Sequence, residues 1–336
     1  MRRVAQSVFG SVIVLVSASC GVPESPDRTP SEQWTKLNDA VFEAYQRREF
    51  ETAVQSAEAA LDVARSSFGE QHPRTLTSMN HLAIVYHSLG RYDDAEPLFI
   101  NAYNLRREVL GNSHADTLSS LNNLAELHRR RGRYGEAEKL HKRALALKRA
   151  SLGQDHPDTL TSLSNLASTY DSQGRYDEAE LITTQVLESR REVLGPNASD
   201  TLTSLHNLGA IYVAQGRYGK AEPLLKQALA LSQDVLGQDD PETIASLSIL
   251  AFVYPRQSRY SEAEPLYAKA LAERRRVLGP NHPDSIASLN NLAATFSNQS
   301  KFDDAELLYK EALWSSPGLM DSYELTDSSR SRAFFS

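Results

Sequence analysis

The chain has 336 residues and a formal net charge of −7, from 36 basic and 43 acidic side chains. It contains no broad basic block, so composition argues against nucleic-acid binding, which needs a concentrated positive surface. The arginine runs at 129–131 and 274–276 come closest, and the second suits the last turn of a helix, where cations favour the dipole. Cys20 is the only cysteine, which excludes a fold held together by internal disulfides.

The start of the chain is typical of an export signal. Met1 is followed by two arginines, an apolar run covers residues 8–16, and small side chains lead to Cys20. This order of basic, apolar and small segments marks a secretory signal peptide. The apolar run is shorter than the roughly 20 residues that cross a bilayer as a permanent helix. We therefore predict a signal peptide over residues 1–19.

The residues around the cleavage point leave two routes open. The string Ser17-Ala18-Ser19-Cys20 resembles the box of bacterial lipoproteins, in which the cysteine is lipidated and becomes the first mature residue. This route predicts an exported lipoprotein, anchored through Cys20 at the periplasmic or outer-membrane face. Cleavage after Ala18 is the alternative, and it predicts a soluble secreted or periplasmic protein. Residues 20–32, rich in proline and serine, are predicted to form a flexible tether.

The remainder of the chain is built on a period of 42 residues. A glycine and an alanine recur on it, at Gly69, Gly111, Gly153, Gly195, Gly237 and Gly279 and at Ala53, Ala95, Ala137, Ala179, Ala221, Ala263 and Ala305. A fixed period of this length indicates one supersecondary unit stacked on copies of itself, which is a solenoid. We predict the solenoid over residues 70–314. Residues 33–69, with Arg48 in place of the loop glycine, are predicted to form a degenerate N-terminal capping repeat.

Each unit has the pattern of two helices. In one unit Leu121, Leu124, Ala125 and His128 form an i, i+3, i+4, i+7 stripe, which predicts the first helix, and Gly132 can close its C-terminus. A second helix follows the aromatic residues at 92, 134, 176, 218, 260 and 302. The unit at 241–278 departs from the pattern, since Pro255 is expected to kink or shorten its first helix and Phe252 to add an apolar contact.

The spacing Leu-x2-Leu-Ala-x2-Tyr, followed by Ala-x3-Phe, is similar to the tetratricopeptide repeat signature. The strings L-G-x-x-H-P-D-T-L-x-S-L-N-N-L-A and G-R-Y-x-E-A-E-P-L resemble the kinesin-light-chain type of that repeat, over about residues 70–313. This resemblance implies an all-α, right-handed superhelical solenoid of about seven antiparallel helix pairs. It also implies that the first helices line a concave surface that holds peptides. Residues 315–336 follow the last unit and are expected to be disordered, the alternative being that they fold back as a cap.

Catalysis and metal binding find no support in the sequence. His72, His114, His156 and His282 occupy the same turn of separate repeats, too far apart to share one metal, so we expect them to fill or cap the turn. No nucleophile elbow, zinc-protease helix or phosphate loop is present. We therefore predict no catalytic residue, no metal, no cofactor and no small-molecule substrate.

The face of the first helix opposite the apolar stripe carries a column of carboxamides. Asn123 lies about 200° around the helix from Leu121, two positions away. Its equivalents and their neighbours are the predicted ligand-binding residues, Asn123, Asn165, Asn207, Asn291, Asn80, Asn122 and Asn290. A carboxamide both donates and accepts, so it can bind the N–H and C=O of a ligand backbone. The alternative is that the asparagines bond to a neighbouring helix or cap a turn.

Charged residues near the ends of the first helices are the predicted selectors of the ligand. Arg129, Arg130 and Asp171 lie there, on the rim of the expected groove. The favoured function is a non-enzymatic scaffold that binds an extended peptide or protein segment and is lipid-anchored at a bacterial membrane. Two alternatives stay open, an accessory lipoprotein of outer-membrane assembly or secretion, and an enzyme whose site is dispersed in the groove.

Overall fold

The structure is a computed structural model that describes residues 28–315. The predicted signal peptide, Cys20, most of the tether and nearly all of the predicted C-terminal tail lie outside the described residues. Within residues 28–315 every regular element is an α-helix. None of the described helices combines the length and the apolar character needed to cross a membrane.

Fourteen helices follow one another as seven antiparallel pairs in the described part of the chain. They are α1 Arg28–Gln46, α2 Phe50–Phe68, α3 Pro73–Ser88, α4 Tyr92–Leu110, α5 Ala115–Arg130, α6 Tyr134–Leu152, α7 Pro157–Ser172, α8 Tyr176–Val193, α9 Ser199–Ala214, α10 Tyr218–Val235, α11 Pro241–Arg256, α12 Tyr260–Leu278, α13 Pro283–Asn298 and α14 Phe302–Trp314. The predicted all-α repeat solenoid is confirmed. Helix α1 begins five residues before position 33, so it includes the end of the segment predicted as a tether.

The described chain divides inside α8 into two compact units, residues 28–182 and residues 183–315. In the first unit each helix from α1 to α6 packs against the helix that follows it. The second unit repeats this arrangement from α9 to α14. The core of each unit is therefore a row of apolar layers between neighbouring helices rather than one central core.

Four of the first helices, α3, α5, α7 and α13, begin at a histidine cap. The Nδ1 atoms of His72, His114 and His156 each accept a hydrogen bond from the backbone N–H two residues later, at 3.2 Å. His282 does the same at 3.1 Å, and in α11 the carboxylate of Asp240 takes this role at 2.8 Å. The capping role expected for these histidines is confirmed, since each satisfies one of the free donors at a helix N-terminus.

A residue in the left-handed conformation joins the two helices of each pair. Glycine fills it in four pairs, at 90, 132, 174 and 216, with φ of 72° to 76°. Arg48, Ser258 and Ser300 fill it in the others, with φ of 59° to 61°. The shortening predicted for α11 is wrong, because α11 has the same 16 residues as the other first helices between α3 and α13. Pro255 lies in its last turn, where the helix already ends at Arg256.

We expect Ser258→Gly to raise the free energy of unfolding by up to about 1 kcal/mol, because glycine adopts positive φ without the steric cost that a Cβ brings. Urea denaturation of both proteins measures the change. The reverse substitution Gly216→Ser, in the equivalent turn before α10, should lower stability by a similar amount. Equal midpoints for all three proteins would contradict the explanation.

Two polar contacts recur between consecutive repeats. In the first, the cationic residue just before an even-numbered helix lies over an aromatic ring of the preceding odd-numbered helix. The same residue also bonds a glutamate on the even-numbered helix of the previous repeat. Arg175 lies 3.9 Å from the Tyr170 ring centroid and donates to Glu138 at 2.9 Å. Arg259 and Lys301 repeat this contact in the second unit.

In the second contact, a buried cation near the end of an even-numbered helix bonds the start of the next odd-numbered helix. Arg106 Nη1 donates to the Asp116 carbonyl at 3.1 Å and to Ser120 Oγ at 2.9 Å. Arg190 and Arg274 make the same pair of bonds with residues 10 and 14 positions later. Ser232 has this position in α10, and its hydroxyl instead bonds Leu229 of its own helix.

Candidate functional site: the first-helix face

The predicted ligand-binding residues all lie on the odd-numbered helices, on a surface that we call the first-helix face. In the first unit α1, α3, α5 and α7 contact one another in sequence, so their side chains at equivalent positions lie side by side. In the second unit α9 contacts α11 in the same way. The face is therefore polar and repetitive because the sequence repeat places the same residue types next to each other.

Some of the carboxamides bond to each other across neighbouring helices. Asn123 Nδ2 on α5 donates to Asn80 Oδ1 on α3 at 3.0 Å, and only 4% of Asn123 is exposed. One helix earlier, His81 Nδ1 and Asn38 Oδ1 are 2.8 Å apart, at the same offset of 43 residues. Asn80 and Asn123 therefore hold α3 and α5 together, which is the alternative that the sequence left open for this column.

The other predicted carboxamides have no such partner. Among the described residues the side chains of Asn122, Asn165, Asn207, Asn290 and Asn291 form no hydrogen bond. Asn165 and Asn291 are partly exposed, and Asn290 is exposed. The Oδ1 atoms of Asn122 and Asn207 are buried without a partner. Buried carbonyl oxygens of this kind cost stability when nothing donates to them. The side chains of Asn165, Asn290 and Asn291 reach the surface, so these three are the ones that a ligand can contact.

The predicted arginine selectors are held by an acidic residue of the same helix. Arg129 donates to both carboxylate oxygens of Glu126, at 2.7 and 2.6 Å, and to Ser172 Oγ on α7 at 2.9 Å. Arg130 donates to the same carboxylate at 2.8 Å. Burial raises the pKa of Glu126, but the hydrogen bonds and charge of Arg129 outweigh it and hold that pKa below the usual value. Arg129 lies in the buried interior of the face rather than on its rim, with 6% of its side chain exposed.

Asp171 differs from the two arginines. It lies on α7 next to Ser172, and its side chain forms no ion pair or hydrogen bond with another described residue. Burial raises the pKa of this carboxyl to about 6, while the charge of Arg129 opposes the rise. Near neutral pH no ion pair within the described structure balances the charge of this carboxylate. Of Arg129, Arg130 and Asp171, it is therefore Asp171 that is available to a ligand.

The face in the second unit is more apolar. Ile249 replaces the asparagine on α11 and is buried, and Phe252 is half-buried one turn later. The guanidinium of Arg256 lies 4.7 Å from the Phe252 ring centroid. The Phe252 side chain therefore lies on the same face as the asparagines, and the guanidinium above it belongs to the same helix.

The described residues contain no group of three or more metal-ligating side chains. His206 and Ser246, on α9 and α11, form a hydrogen bond of 2.8 Å between Nδ1 and Oγ. Both residues are buried, with 3% and 1% exposed, and no carboxylate bonds the imidazole in the described structure. This pair holds two helices together and has no access to a substrate.

A sequence model of the tetratricopeptide repeat matches residues 40–108, 80–150, 116–192 and 242–313, and a second one matches residues 201–242. Together these matches extend over most of the chain. The chain belongs to the tetratricopeptide repeat family. Comparison with functionally curated proteins returns no match.

Solved tetratricopeptide structures support the kinesin-light-chain type. A Podosopora anserina kinesin light chain with nearly identical tetratricopeptide-like repeats is 26% identical, with 62% of this chain and 97% of that chain covered and a TM-score of 0.53. BtubC (BKLC) from P. vanneervenii is 22% identical, with coverages of 76% and 95% and a TM-score of 0.52. A Rap protein complexed with competence and sporulation factor is 13% identical, with coverages of 92% and 90% and a TM-score of 0.58.

Reasoning from the sequence of this tetratricopeptide chain missed Glu126, which binds both predicted arginine selectors and offsets one of their two positive charges. The signal was present, since an acid three and four positions before two arginines on one helix is the spacing of helical ion pairs. It also missed the Asn80–Asn123 bond. The column pattern shows which residues share a face, but the donor and acceptor of a bond between helices depend on side-chain directions that spacing does not give.

Proposed function

We propose that the chain is a non-enzymatic scaffold that binds an extended peptide or protein segment along its first-helix face. The observation that carries the proposal is the set of carboxamides without protein partners, chiefly Asn165 and Asn291. Each offers one donor and one acceptor to the backbone of a ligand, whatever the ligand side chains are. The solved complex of a Rap protein with competence and sporulation factor supports the proposal, because that protein shares the fold and holds a bound factor.

The charges on the face favour one class of ligand. Glu126 offsets one of the two positive charges of Arg129 and Arg130, and both guanidiniums already donate to it, which leaves fewer of their donors for an acidic segment. Asp171 retains a carboxyl without a protein partner. A lysine or arginine side chain of the ligand next to Asp171 would keep that carboxyl ionised and gain a charge-assisted hydrogen bond. We therefore propose that the segment bound to the first unit carries a basic residue.

The test compares two asparagines of the same column. A partner is first captured from a membrane extract with the purified chain, and its binding segment is synthesised as a peptide. We expect Asn165→Ala to raise the Kd of that peptide about 2- to 12-fold, the loss of one net hydrogen bond. The matched control is Asn123→Ala, which breaks a bond inside the protein and should lower Tm with little change in Kd. Calorimetry measures Kd, and thermal denaturation measures Tm on the same preparations.

The outcome that contradicts the proposal is the reverse pattern. If Asn165→Ala lowers Tm and leaves the Kd per folded molecule unchanged, that asparagine is structural. An Asn291→Ala variant provides the corresponding test in the second unit. If both variants bind the peptide as tightly as the parent does, the peptide lies elsewhere.

We propose further that the scaffold is exported and fixed to a membrane through a lipid on Cys20. The support is the order of basic, apolar and small residues that ends at the only cysteine. In a bacterial host, a Cys20→Ser variant should lose incorporated palmitate label and move from the membrane fraction to the soluble exported fraction. Equal retention of both proteins in the membrane fraction at high salt would contradict the anchor. N-terminal sequencing would then test for cleavage after Ala18.

A further inference from the structure

A groove lies between α2 and α4, the even-numbered helices of the first two helix pairs. It has a volume of about 480 Å³, and its floor includes Leu61 of α2, Leu82 of α3 and Leu98 of α4. Leu61 and Leu82 are buried, and Leu98 is half-buried. The residues of the described chain that line the groove include none of the asparagines of the first-helix face. The groove is therefore a second surface, separate from the one for which peptide binding is proposed above.

Both walls of this groove are acidic. Four exposed carboxylates line them, two on α2 and two on α4, namely Glu58, Asp62, Asp93 and Asp94. Arg65 also lines the groove, but its guanidinium donates to Glu70 at 3.1 Å. The groove thus combines an apolar floor with an excess of negative charge on its walls.

On the α4 wall both carboxylates have an arginine partner. Asp94 lies 2.8 Å from Arg91, and Asp93 lies 2.7 Å from Arg131. Both aspartates are exposed to solvent, where ion pairs of this kind contribute little to stability. The charge of this wall is therefore largely balanced by the protein.

On the α2 wall neither carboxylate forms an ion pair with another described residue. Glu58 accepts a hydrogen bond of 2.7 Å from the Tyr86 hydroxyl. Burial and this bond raise the pKa of Tyr86 to about 12, so the hydroxyl stays protonated and carries no charge. Asp62 lies four positions after Glu58, a spacing at which like charges repel and destabilise a helix. A cation bound between the two carboxylates would remove this repulsion.

The later repeats show that the fold does not require these acids. At the four corresponding positions of each later pair of even-numbered helices, at most two residues are acidic. Lysine takes the place of Glu58 at positions 142, 226 and 310, and alanine takes the place of Asp62 at positions 146, 230 and 272. Acids at all four positions are therefore a feature of this groove and not of the repeat.

The chemistry of the groove selects one class of occupant. The carboxylates do not come together as a group of metal ligands within the described chain, so an organic cation fits better than a metal ion. A nucleic acid or an anionic membrane would be repelled by the charge. A lysine or arginine side chain can cover apolar surface with its alkyl chain while its charged end reaches a carboxylate.

We propose that the groove between α2 and α4 binds a segment of a partner protein that carries an arginine or lysine next to an apolar residue. The apolar residue would lie on Leu61 and Leu98, and the cation would lie between Glu58 and Asp62. This inference goes beyond the proposed function, because it concerns other helices than those of the first-helix face and holds whether or not that face binds a peptide.

Fluorescence anisotropy with the full chain tests the proposal. The probe is a short peptide of alternating arginine and leucine that carries an uncharged dye. We expect Glu58→Lys to raise its Kd roughly tenfold or more, because an attraction is replaced by a repulsion. Lysine occupies the equivalent position of α6, α10 and α14, so the variant should fold. The matched control is Glu188→Lys, which makes the same change of charge at an exposed position of α8 and should change Kd less than twofold.

An Asp171→Asn variant separates this groove from the first-helix face and should also change Kd less than twofold. Weaker binding by Asp171→Asn with unchanged binding by Glu58→Lys would overturn the proposal and assign the basic peptide to the first-helix face. Equal binding of a peptide of alternating arginine and serine would overturn it too, since the groove would then recognise charge alone.

A second variant keeps the test decisive if Glu58→Lys does not fold. Asp62→Ala introduces the residue that α6, α10 and α12 carry at this position, and we expect it to raise the Kd of the arginine-leucine peptide at least threefold. Circular dichroism confirms that each variant is folded. An unchanged Kd in a folded Glu58→Lys or Asp62→Ala protein would overturn the proposal.

Discussion

Replacing His141 by phenylalanine should make the chain lose less stability in mild acid, where His87 and His206, whose pKa values burial also lowers to about 4, contribute to the loss as well. His141 lies on α6 with 0% exposed, and neither ring nitrogen has a hydrogen-bond partner in the described structure. Burial lowers the pKa of this imidazole to about 4, the charge of Glu126 opposes the change, and those of Arg129 and Lys148 add to it. The folded protein therefore excludes the protonated form of His141.

The direction of the pH effect follows from this shift. The unfolded chain binds a proton to this histidine near pH 6.5, whereas the folded chain does so only near pH 4. The contribution of His141 to stability is thus complete above pH 6.5 and is lost as the pH falls towards 4. A shift of this size corresponds to about 3 kcal/mol.

Phenylalanine is a suitable replacement because Phe99 fills the equivalent position of α4 and is fully buried. Urea denaturation at pH 7, 5.5 and 4.5 gives the free energy of unfolding of both proteins. We expect the difference between the variant and the parent to grow as the pH falls. Asp171, whose pKa is raised to about 6, changes stability in the opposite direction, and the subtraction removes its contribution because both proteins retain it.

The reciprocal variant Phe99→His is the control. It should introduce the same sensitivity to acid in the preceding repeat, since the imidazole would enter an equally buried position. If the stability curves of parent and His141→Phe are parallel between pH 7 and 4.5, the folded protein accommodates the imidazolium and this explanation is wrong.

Replacing Arg106 by methionine should lower the free energy of unfolding by about 2 to 3 kcal/mol, because two hydrogen bonds from a charged donor are lost inside the protein. Methionine retains much of the apolar volume of the arginine chain, so the effect reports the lost polar contacts of the guanidinium, chiefly those to Asp116 and Ser120, with a longer one of 3.5 Å to Thr77 Oγ1. The adjacent Arg107→Met variant is the matched control and should change stability by less than about 0.5 kcal/mol. Equal losses in the two variants would show that the buried bonds between α4 and α5 are not the cause.

The regular part of the fold could be predicted from the sequence because the repeat multiplies every signal. An apolar stripe, a closing glycine and a histidine cap that recur at the same spacing cannot all arise by chance, and the helices begin and end where these residues predict. Helix α1 was harder to delimit, since its unit lacks the loop glycine and has no unit before it for comparison. Pro255 was misread because a proline in the last turn removes little from a helix that is ending.

The polar contacts between repeats were predicted less well. The arginine run at 274–276 was attributed to the helix dipole, although Arg274, like Arg106 and Arg190, is followed 14 residues later by a serine. That recurrence was the signal for a buried bond to the next helix. Ser232 breaks the series, so the contact between α10 and α11 lacks the charged donor, and the structure shows that the Ser232 hydroxyl bonds Leu229 of its own helix instead. The same holds for the candidate site. Spacing identified the asparagine column but could not separate Asn123, whose side chain bonds Asn80, from Asn165, whose side chain bonds nothing in the described structure.

The contact in which Arg175 reaches Glu138 of the previous repeat has a consequence for how such a chain can change in evolution. The four repeats from α5 to α12 each carry both residue types, an arginine for the preceding repeat and a glutamate for the following one, so in this respect none of the four is chemically specific to its place. Duplication or loss of 42 residues by unequal recombination would rejoin an arginine with a glutamate at the new junction. An insertion of any other length would separate them, so the gene can change length in whole repeats at little cost to folding.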